Sequence, residues 1–127
     1  GGSHKVVRAD AVCLAVGLSP LVELAAMRGC RMVYSRELGG FMPWHDGDMR
    51  TDRPGVYVAG DAAGVEEASV AMEEGRMAGL SAAEDLGTLG RKDVERAKDE
   101  VRRFLWELRG GPYGEAKRRA KEDVHCA

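Results

Sequence analysis

The sequence predicts an α/β fold made of short strands, a helix lined with small residues and a carboxy-terminal helical extension. Three observations support this prediction. The apolar run Ala11–Val16 has the length of a strand and ends at Gly17, as expected for a strand buried on both faces of a parallel sheet. A second run, Val56–Ala59, ends at Gly60-Asp61. Two long stretches with helical periodicity follow.

Composition places the chain among folded globular proteins of one-domain size. Its 127 residues are 44% apolar and 31% charged, which supplies an ordinary core. The formal net charge of −2 gives no electrostatic reason to expect nucleic acid as a partner. No apolar run approaches the roughly 20 residues of a bilayer-spanning helix, so no membrane partner is expected. Residues 1–4, Gly-Gly-Ser-His, read as a cloning remnant.

The three cysteines are widely separated and include no Cys-x-x-Cys pair. This arrangement argues against a disulfide scaffold or a zinc ribbon, and it favours a reducing, cytoplasmic location. Cys13 lies within an apolar run and is expected to be buried and inert. His125-Cys126 supply only two ligand-type residues, so a metal or iron–sulfur site there would need further residues of a longer protein. No metal site is predicted.

The first half of the chain predicts short elements separated by turns. Residues 6–10 have the length of a strand. Ser19-Pro20 offer an N-cap and a first helical residue for a brief helix that ends at Gly29. Residues 31–36 and 41–44 predict the two arms of a hairpin. The polar residues that follow, including His45, Asp46 and Asp48, predict a solvated turn in preference to a metal-binding loop.

A helix with a stripe of small residues is predicted from about Glu66 to Leu86. The stripe comprises Ala68, Ala71, Gly75, Ala78 or Gly79, and Ala82. A glycine inside a helix costs about 1 kcal/mol relative to alanine, so close packing against another element is the expected compensation. The stripe therefore predicts a buried helix whose axis lies near its neighbour.

A second long helix is predicted from Arg91 to Arg109. Its apolar residues recur at positions a and d of a heptad: Val94, Ala97, Val101, Phe104 and Leu108. This pattern indicates an amphipathic helix that docks on the body of the protein or on a partner. Gly110-Gly111-Pro112 end the helix, and the highly charged residues 115–123 predict a frayed helix or a disordered tail.

The segment from Thr51 to Gly64 carries the strongest chemical signal. Gly60 has no Cβ, so a ligand can approach its backbone. Asp61 follows at the carboxyl end of a predicted strand, where its carboxylate can accept hydrogen bonds from sugar or ribityl hydroxyls. The helix that begins near Glu66 directs free N–H groups toward the same crevice. A Gly-Asp pair after a strand is also commonly a simple turn, and these residues alone leave both interpretations open.

The pattern Thr51-x-x-Pro-Gly-Val-Tyr-Val-Ala-Gly60-Asp61 resembles the second FAD fingerprint of pyridine nucleotide–disulfide reductase-type flavoproteins. The resemblance implies a two-dinucleotide-binding FAD/NAD(P) fold in which Asp61 binds the ribityl chain and the next helix points at the flavin. It implies FAD-contacting residues at Gly17, Gly60, Asp61, Ala62, Glu67, Ala68 and Ser69. Residues 10–20 resemble the end of the family's pyridine-nucleotide domain, and they depart from the family pattern at Leu18, where the family often has arginine.

A closer resemblance is to the flavoprotein subunits of amino-acid and opine dehydrogenases, including hydrogen cyanide synthase and the alpha subunits of proline dehydrogenase and sarcosine oxidase. It covers residues 10–86 and includes Leu38-Gly39-Gly40 and Glu74-Gly75-Arg76. The domains it implies are the end of the pyridine-nucleotide domain (5–20), the carboxy-terminal half of the FAD domain (21–87) and a helical extension (88–127). The family's Gly-x-Gly-x-x-Gly fingerprint for the ADP part of FAD is absent from this sequence.

Two functions are therefore predicted. In the first, the chain is a fragment of an FAD-dependent oxidoreductase, with NAD(P) as a possible second cofactor, and its partners are the missing amino-terminal half and either another subunit or a second copy. The chain alone is then expected to bind little FAD and to be inactive. No residue stands out as a general base or nucleophile, so none is assigned a catalytic role. In the second, the chain is a non-catalytic interaction or dimerisation module that docks chiefly through the helix at 91–109.

Overall fold

The computed structural model describes residues 2–127, so the expectation for Gly1 lies outside the described residues. The elements in chain order are α1 (Glu23–Met27), β1 (Met32–Ser35), β2 (Gly40–Pro43), a 3₁₀ turn (Gly60–Ala63), α2 (Ala68–Asp85), α3 (Arg91–Leu108) and α4 (Gly111–Cys126). In the described part of the chain the sheet has two strands, and helices form most of the remaining structure. No helix within residues 2–127 is both long and apolar enough to span a bilayer.

The predicted strands at 6–10 and 11–16 do not form, and this prediction was wrong for the structure described. Residues 2–19 have no helix or strand, and their apolar side chains are exposed; Leu14 is 80% exposed and Val16 is 92% exposed. Cys13 is also exposed, not buried. A strand of a parallel sheet needs neighbours for its backbone groups, and residues 2–127 supply none beside this segment.

The hairpin prediction is confirmed. β1 and β2 pair antiparallel, with Tyr34 opposite Phe41 and Met32 opposite Pro43. Pro43 takes the last position of its strand, where its missing N–H interrupts little of the ladder. The short preceding helix also ends as predicted, because Gly29 has φ +77° and the N–H groups of Gly29 and Cys30 bond back to Ala26 and Ala25. Its start is later than predicted, at Glu23.

The Val56–Ala59 segment is only partly the buried strand that was predicted. It makes one isolated bridge, between Arg50 and Tyr57, whose two backbone hydrogen bonds run from the Thr51 N–H to the Val56 carbonyl and from the Val58 N–H to the Met49 carbonyl. Of its side chains only Val58 is buried. The segment is extended, but a continuous ladder needs a neighbouring strand that the described residues do not contain.

Helix α2 forms as predicted, but its buried face is not the stripe of small residues. The buried positions are Val70, Glu74, Met77 and Ser81. A Cβ at Gly75 or Gly79 would meet nothing within 4 Å among the described residues. The prediction of close packing was therefore wrong at these two glycines, whereas Ala71 of the stripe does lie against Gly60. The larger side chains at 70 and 77 bury more apolar surface against α3, and this decides which face turns inward.

Two apolar clusters and a charged layer between the elements form the core. The first cluster joins the loop that contains Met49 to α2 and α3, and the second cluster joins the β1–β2 hairpin to α4. Their buried members are Met49, Val70, Met77, Val101 and Leu105 in the first, and Leu38, Met42, Ala120 and Val124 in the second. The carboxy-terminal residues, expected to be frayed or disordered, instead form a complete helix that packs on the hairpin.

Candidate functional site

The Gly60–Ala63 turn requires glycine at both of its ends. Gly60 has φ +64°, a left-handed conformation that L side chains rarely adopt, and its backbone lies against Ala71. Gly64 has φ +126°, and a Cβ there would lie 3.0 Å from the Cβ of Leu38. The N–H of Gly64 closes the turn by donating to the carbonyl of Asp61 at 3.1 Å. The hairpin and α2 thus hold the turn from both sides.

The predicted ligand-binding residues occupy this turn and the start of α2. Asp61 is exposed, Ala62 is half-buried and Ala63 is fully buried. Glu67 is the N-cap residue of α2 and has extended backbone, and no side chain among the described residues caps the helix there. Ala68 is exposed and Ser69 is half-buried. The first-turn N–H groups of α2 are therefore available to an external acceptor.

The charge at the start of α2 is balanced within the fold. The side chain of Glu66 is only 4% exposed, and Arg109 donates two hydrogen bonds to its carboxylate, at 3.0 and 2.7 Å. A bidentate guanidinium–carboxylate pair of this kind is strong and directional. Burial lowers the pKa of Arg109, but the hydrogen bonds and the electrostatic attraction to the Glu66 carboxylate outweigh this effect. The pKa of Arg109 is therefore raised. The pairing with Arg109 therefore balances the charge of Glu66 at the start of α2.

Gly17, the remaining predicted ligand-binding residue, lies in the segment without regular structure and is exposed. The residues that follow it do approach the site. The carbonyl of Leu18 and a methyl of Val65 each lie 3.2 Å from where a Cβ of Gly39 would stand, and the ring of Pro20 lies at 3.5 Å. The hairpin turn therefore brings residues 18–20 near the segment between Asp61 and α2. The structure gives no contact between Gly17 and Asp61.

Three buried charged residues behind the turn were missed by the sequence analysis: Glu74, Arg109 and Lys121. Glu74 is 0% exposed, and it accepts hydrogen bonds from Lys121 at 2.7 Å and Arg109 at 2.6 Å. Burial lowers the pKa of Lys121, and attraction to Glu74 opposes that shift. The sequence did carry a signal for Glu74, because it stands four residues after Val70 and three before Met77, in phase with the apolar face.

His45, which is buried, and His125, which is half-buried, form a second group close to Lys121. Their rings meet edge to face with centroids 5.4 Å apart, and the Nε2 atom of each has no partner among residues 2–127. His45 Nδ1 lies 2.9 Å from the carbonyl of Pro43, so that nitrogen is the donor. Desolvation, with Lys121 adding to it, lowers the pKa of His45 to about 3. The prediction of a solvated turn was wrong for this residue.

Asp46 and Asp48, which follow His45 in the chain, use their carboxylates for hydrogen bonds within the fold. Asp46 Oδ1 accepts hydrogen bonds from the N–H groups of Asp48 and Arg50, which shapes the loop. Burial raises the pKa of Asp48, but hydrogen bonds from Lys98 and Arg102 outweigh it and lower that pKa to about 2. Within the described residues no three histidine, cysteine, aspartate or glutamate side chains lie close enough to hold a metal ion. Cys126, next to His125, is exposed.

A cavity of about 230 Å³ lies beside the start of α2, between that helix and the connection from α3 to α4. Glu67 and Val70 line it from α2, and Leu108, Tyr113 and Lys117 line it from the opposite side. Lys117 donates a hydrogen bond to the carbonyl of Val65 at 2.6 Å, which ties α4 to the segment before α2. The helical extension thus forms one wall of a cavity that reaches Glu67 but not the Gly60–Ala63 turn.

The comparison with protein families decides the wider assignment. Residues 1–75, more than half of the chain, match the family model described as pyridine nucleotide-disulphide oxidoreductase. The chain belongs to the pyridine nucleotide-disulphide oxidoreductase family. The family resemblance carried by the Thr51–Asp61 pattern is thereby confirmed, and the FAD/NAD(P)-binding α/β fold is the fold of this family. The matched residues contain the Gly60–Ala63 turn and Glu74, whereas α3 and α4 lie beyond them.

The curated relatives are opine oxidase subunits. The chain is 34% identical over 109 residues to the A subunit of opine oxidase from Agrobacterium tumefaciens (strain Ach5), covering 83% of this chain and 22% of the relative. It is 36% identical over 108 residues to the protein of the same name from Rhizobium meliloti, covering 82% and 20% respectively. The chain thus spans about a fifth of the length of these relatives. No solved structure matches it.

These relatives bear on the predicted resemblance to flavoprotein subunits of amino-acid and opine dehydrogenases. Similarity to the opine oxidase A subunits is shown, and it agrees with the predicted opine-type flavoprotein subunit. Membership of the hydrogen cyanide synthase, proline dehydrogenase or sarcosine oxidase groups stays a prediction. The same holds for the domain boundaries at 4, 20 and 87, and for the individual cofactor-binding residues.

Proposed function

We propose that this chain is part of an FAD-dependent oxidoreductase similar to the opine oxidase A subunits and contributes the ribityl and flavin-edge half of its FAD site. The observation that carries the proposal is the pairing, within eight residues, of the exposed Asp61 carboxylate with the uncapped amino end of α2. A carboxylate suits the hydroxyls of a ribityl chain, and free helix N–H groups suit a ring that develops negative charge. The opine oxidase relatives supply the expected substrate class, an opine.

In this proposal FAD supplies the redox chemistry, and the residues of this chain bind and orient it. FAD, when bound, supplies the redox step by taking up a hydride equivalent. Asp61 would orient the ribityl chain as hydrogen-bond acceptor, and the start of α2 at Glu67, Ala68 and Ser69 would face the ring edge. Gly60 and Gly64 would fix the turn that places them. The ADP part of FAD and any NAD(P) would be held by residues outside this sequence, so NAD(P) remains a prediction from the resemblance alone.

The test replaces Asp61 with alanine in the longer polypeptide that contains this chain. Loss of a hydrogen bond to a charged group is worth about 1.5–3 kcal/mol, so the dissociation constant for FAD is expected to rise roughly ten- to hundredfold. Fluorescence titration of the apoprotein with FAD measures it. Asp99→Ala, on an exposed face of α3, is the matched control and is expected to leave the affinity unchanged. Equal FAD affinity in the wild type and Asp61→Ala would refute the role of this carboxylate.

The chain alone gives a second measurement. With only half of the site present, we expect little or no FAD binding, seen as the absence of fluorescence quenching when FAD is added. A flavin absorbance band that co-purifies with this chain would overturn that expectation. A longer polypeptide that carries no flavin would overturn the oxidoreductase proposal itself.

The interaction-module hypothesis has one specific observation in its favour, and it concerns a different surface from the one predicted. The apolar residues of α3 are largely used inside the chain, since Val94 and Val101 are buried against the rest of the fold. Phe104, Trp106 and Leu108 of α3 are exposed, but half of the exposed large apolar side chains of the described residues lie in the first 27 residues: Val6, Val7, Val12, Leu14, Val16, Leu18, Leu21, Leu24 and Met27. A concentration of this kind favours association. Sedimentation velocity of the isolated chain tests it, and a monomer at all concentrations would refute it.

A further inference from the structure

A buried ion pair connects the helical extension to both ends of the Gly60–Ala63 turn. Glu74 Oε2 accepts a hydrogen bond from the backbone N–H of Gly60 at 3.0 Å. Its other oxygen, Oε1, accepts one from Lys121 Nζ at 2.7 Å. Lys121 Nζ also donates to the backbone carbonyl of Ala63 at 2.9 Å. The pair therefore binds the backbone N–H of the first residue of the turn, Gly60, and the backbone carbonyl of the last, Ala63. Asp61 lies between these two residues in the sequence.

We propose that Glu74 and Lys121 are positioning residues for the flavin: they clamp the turn so that the Asp61 carboxylate is held in place before the cofactor arrives. This inference rests on the proposed function, because it assumes that Asp61 contacts FAD. Neither residue would touch the cofactor in this role. Both act through the backbone of residues 60–63.

The burial of the pair supports a role in geometry more than in stability. Glu74 is 0% exposed and Lys121 is 1% exposed. Removing two charges from water costs so much that a buried ion pair adds little net stability compared with apolar residues of the same size. Two polar backbone groups in the turn explain why apolar residues would not serve here, since the Gly60 N–H and the Ala63 carbonyl would otherwise lose their partners.

The neighbouring charges show that the pair forms one network with Arg109. Glu74 Oε1 also accepts a bond from Arg109, and Arg109 in turn holds Glu66. Lys121 Nζ lies 3.7 Å from Glu66 Oε1. The network thus reaches the residue directly before the N-cap of α2. Because Lys121 and Arg109 lie beyond residue 75, the clamp draws on a part of the chain outside the segment matched to the family.

The first variant is Lys121→Met, which keeps the length of the side chain and removes the bonds to Ala63 and Glu74. Glu74→Gln/Lys121→Met is the companion variant, because it removes both charges together and leaves Arg109 paired with Glu66. Arg119→Met is the matched control: Arg119 lies on the same helix, pairs only with Glu115 among the described residues and is exposed.

The first readout needs no flavin. In this chain, hydrogen–deuterium exchange followed by NMR should show protected amides at Gly60 and Gly64 in the wild type. Exchange at Gly64 is expected to be about tenfold faster in both Lys121 variants, since that amide closes the turn, and unchanged in Arg119→Met. An unprotected Gly60 amide in the wild type would overturn the proposal, and so would equal Gly64 exchange in the wild type and the double variant.

The second readout uses the longer flavoprotein. The dissociation constant for FAD is expected to rise about tenfold in both Lys121 variants, with a changed flavin visible spectrum and midpoint potential, because one or two buried hydrogen bonds to the turn are lost. A structural role alone would lower stability and leave the spectrum and potential of the bound flavin as they are, which would overturn the proposal. If the wild type carries no flavin, the proposed function fails, and the exchange measurement still decides whether the clamp exists.

Discussion

At the scale of single residues, His45 makes folding stability depend on pH. The unfolded residue takes up a proton near its ordinary pKa of 6.5, whereas burial lowers the pKa of the folded residue to about 3. Between these two values the unfolded chain holds the extra proton. The free energy of unfolding therefore decreases as the pH falls through this window, by up to about 1.4 kcal/mol per pH unit from this one group.

The variant His45→Gln is expected to lose this part of the pH dependence, because glutamine does not titrate. Urea unfolding at about pH 4.5 and about pH 7.5 measures it, as the difference in unfolding free energy between the two conditions. His4→Gln is the matched control, since His4 is exposed and its replacement leaves the dependence as in the wild type. The same difference in the wild type and His45→Gln would contradict the assignment. Asp48, with its lowered pKa, contributes equally in all three proteins.

Some residues of the candidate site could be predicted from the sequence and others could not. Gly60 and Asp61 stand in a recognisable motif, whereas Lys121 stands 60 residues further along in a charged helix. Nothing in the local sequence separates Lys121 from Lys117 or Arg119. Only its position opposite Glu74 in space selects it.

At the scale of elements, α3 shows how a helix was predicted correctly and its buried face only in part. The heptad pattern placed Phe104 and Leu108 on the buried stripe, but the structure buries Lys98 and Leu105 together with Val94 and Val101. The stripe follows an i, i+4, i+7, i+11 spacing that matches the buried positions of α2. Lys98 is accommodated because Asp48 and Glu84 each accept a hydrogen bond from its Nζ, at 2.8 and 2.6 Å.

A pair of alanine substitutions distinguishes the two faces of α3. Leu105→Ala is expected to lower the free energy of unfolding by about 2–5 kcal/mol, because it opens a cavity in the cluster with Met77 and Val101. Leu108→Ala is the control and is expected to cost less than about 1 kcal/mol, since Leu108 is 39% exposed. Denaturant unfolding of both variants measures this. If both variants lost the same free energy of unfolding, or Leu108→Ala lost more, the packed face of α3 would be the one that the heptad pattern predicts.

At the scale of the whole molecule, the described fold is well packed on one side and open on the other. α2 covers α3, α4 covers the hairpin, and the buried charges lie between them. Residues 2–19 and the Gly75–Gly79 face of α2 remain uncovered within the described chain. Since the chain spans about a fifth of its relatives' length, the longer polypeptide is the natural source of a covering surface under the proposed function.

Limited trypsin digestion of the isolated chain tests this division. Cleavage after Lys5 and Arg8 is expected first, because both lie in the exposed segment without regular structure. Arg50 and Lys98 are expected to resist, since both are held by ion pairs and Lys98 is 0% exposed. Mass spectrometry of early time points measures the order of cleavage. Cutting at Lys98 before Arg8 would contradict the packing described here.

Residues 6–16 in the longer polypeptide provide the complementary measurement. If this segment becomes a strand when its neighbours are present, Arg8 is expected to gain protection from trypsin under the same conditions. Arg8 cleaved at equal rates in both proteins would show that the segment stays unpaired.

The sequence by itself determined several local elements and the family. The hairpin, the two long helices, the Gly29 helix end and the Gly60-Asp61 turn depend on periodicity and on glycines at fixed positions, which are properties of a short stretch of chain. Tertiary structure alone decided the rest. Which face of α2 is buried, whether residues 11–16 pair as a strand, and that the charged tail folds as α4 with Lys121 buried all depend on which other surfaces are present. Burial and ion pairing act between distant parts of the chain, and local pattern does not encode them.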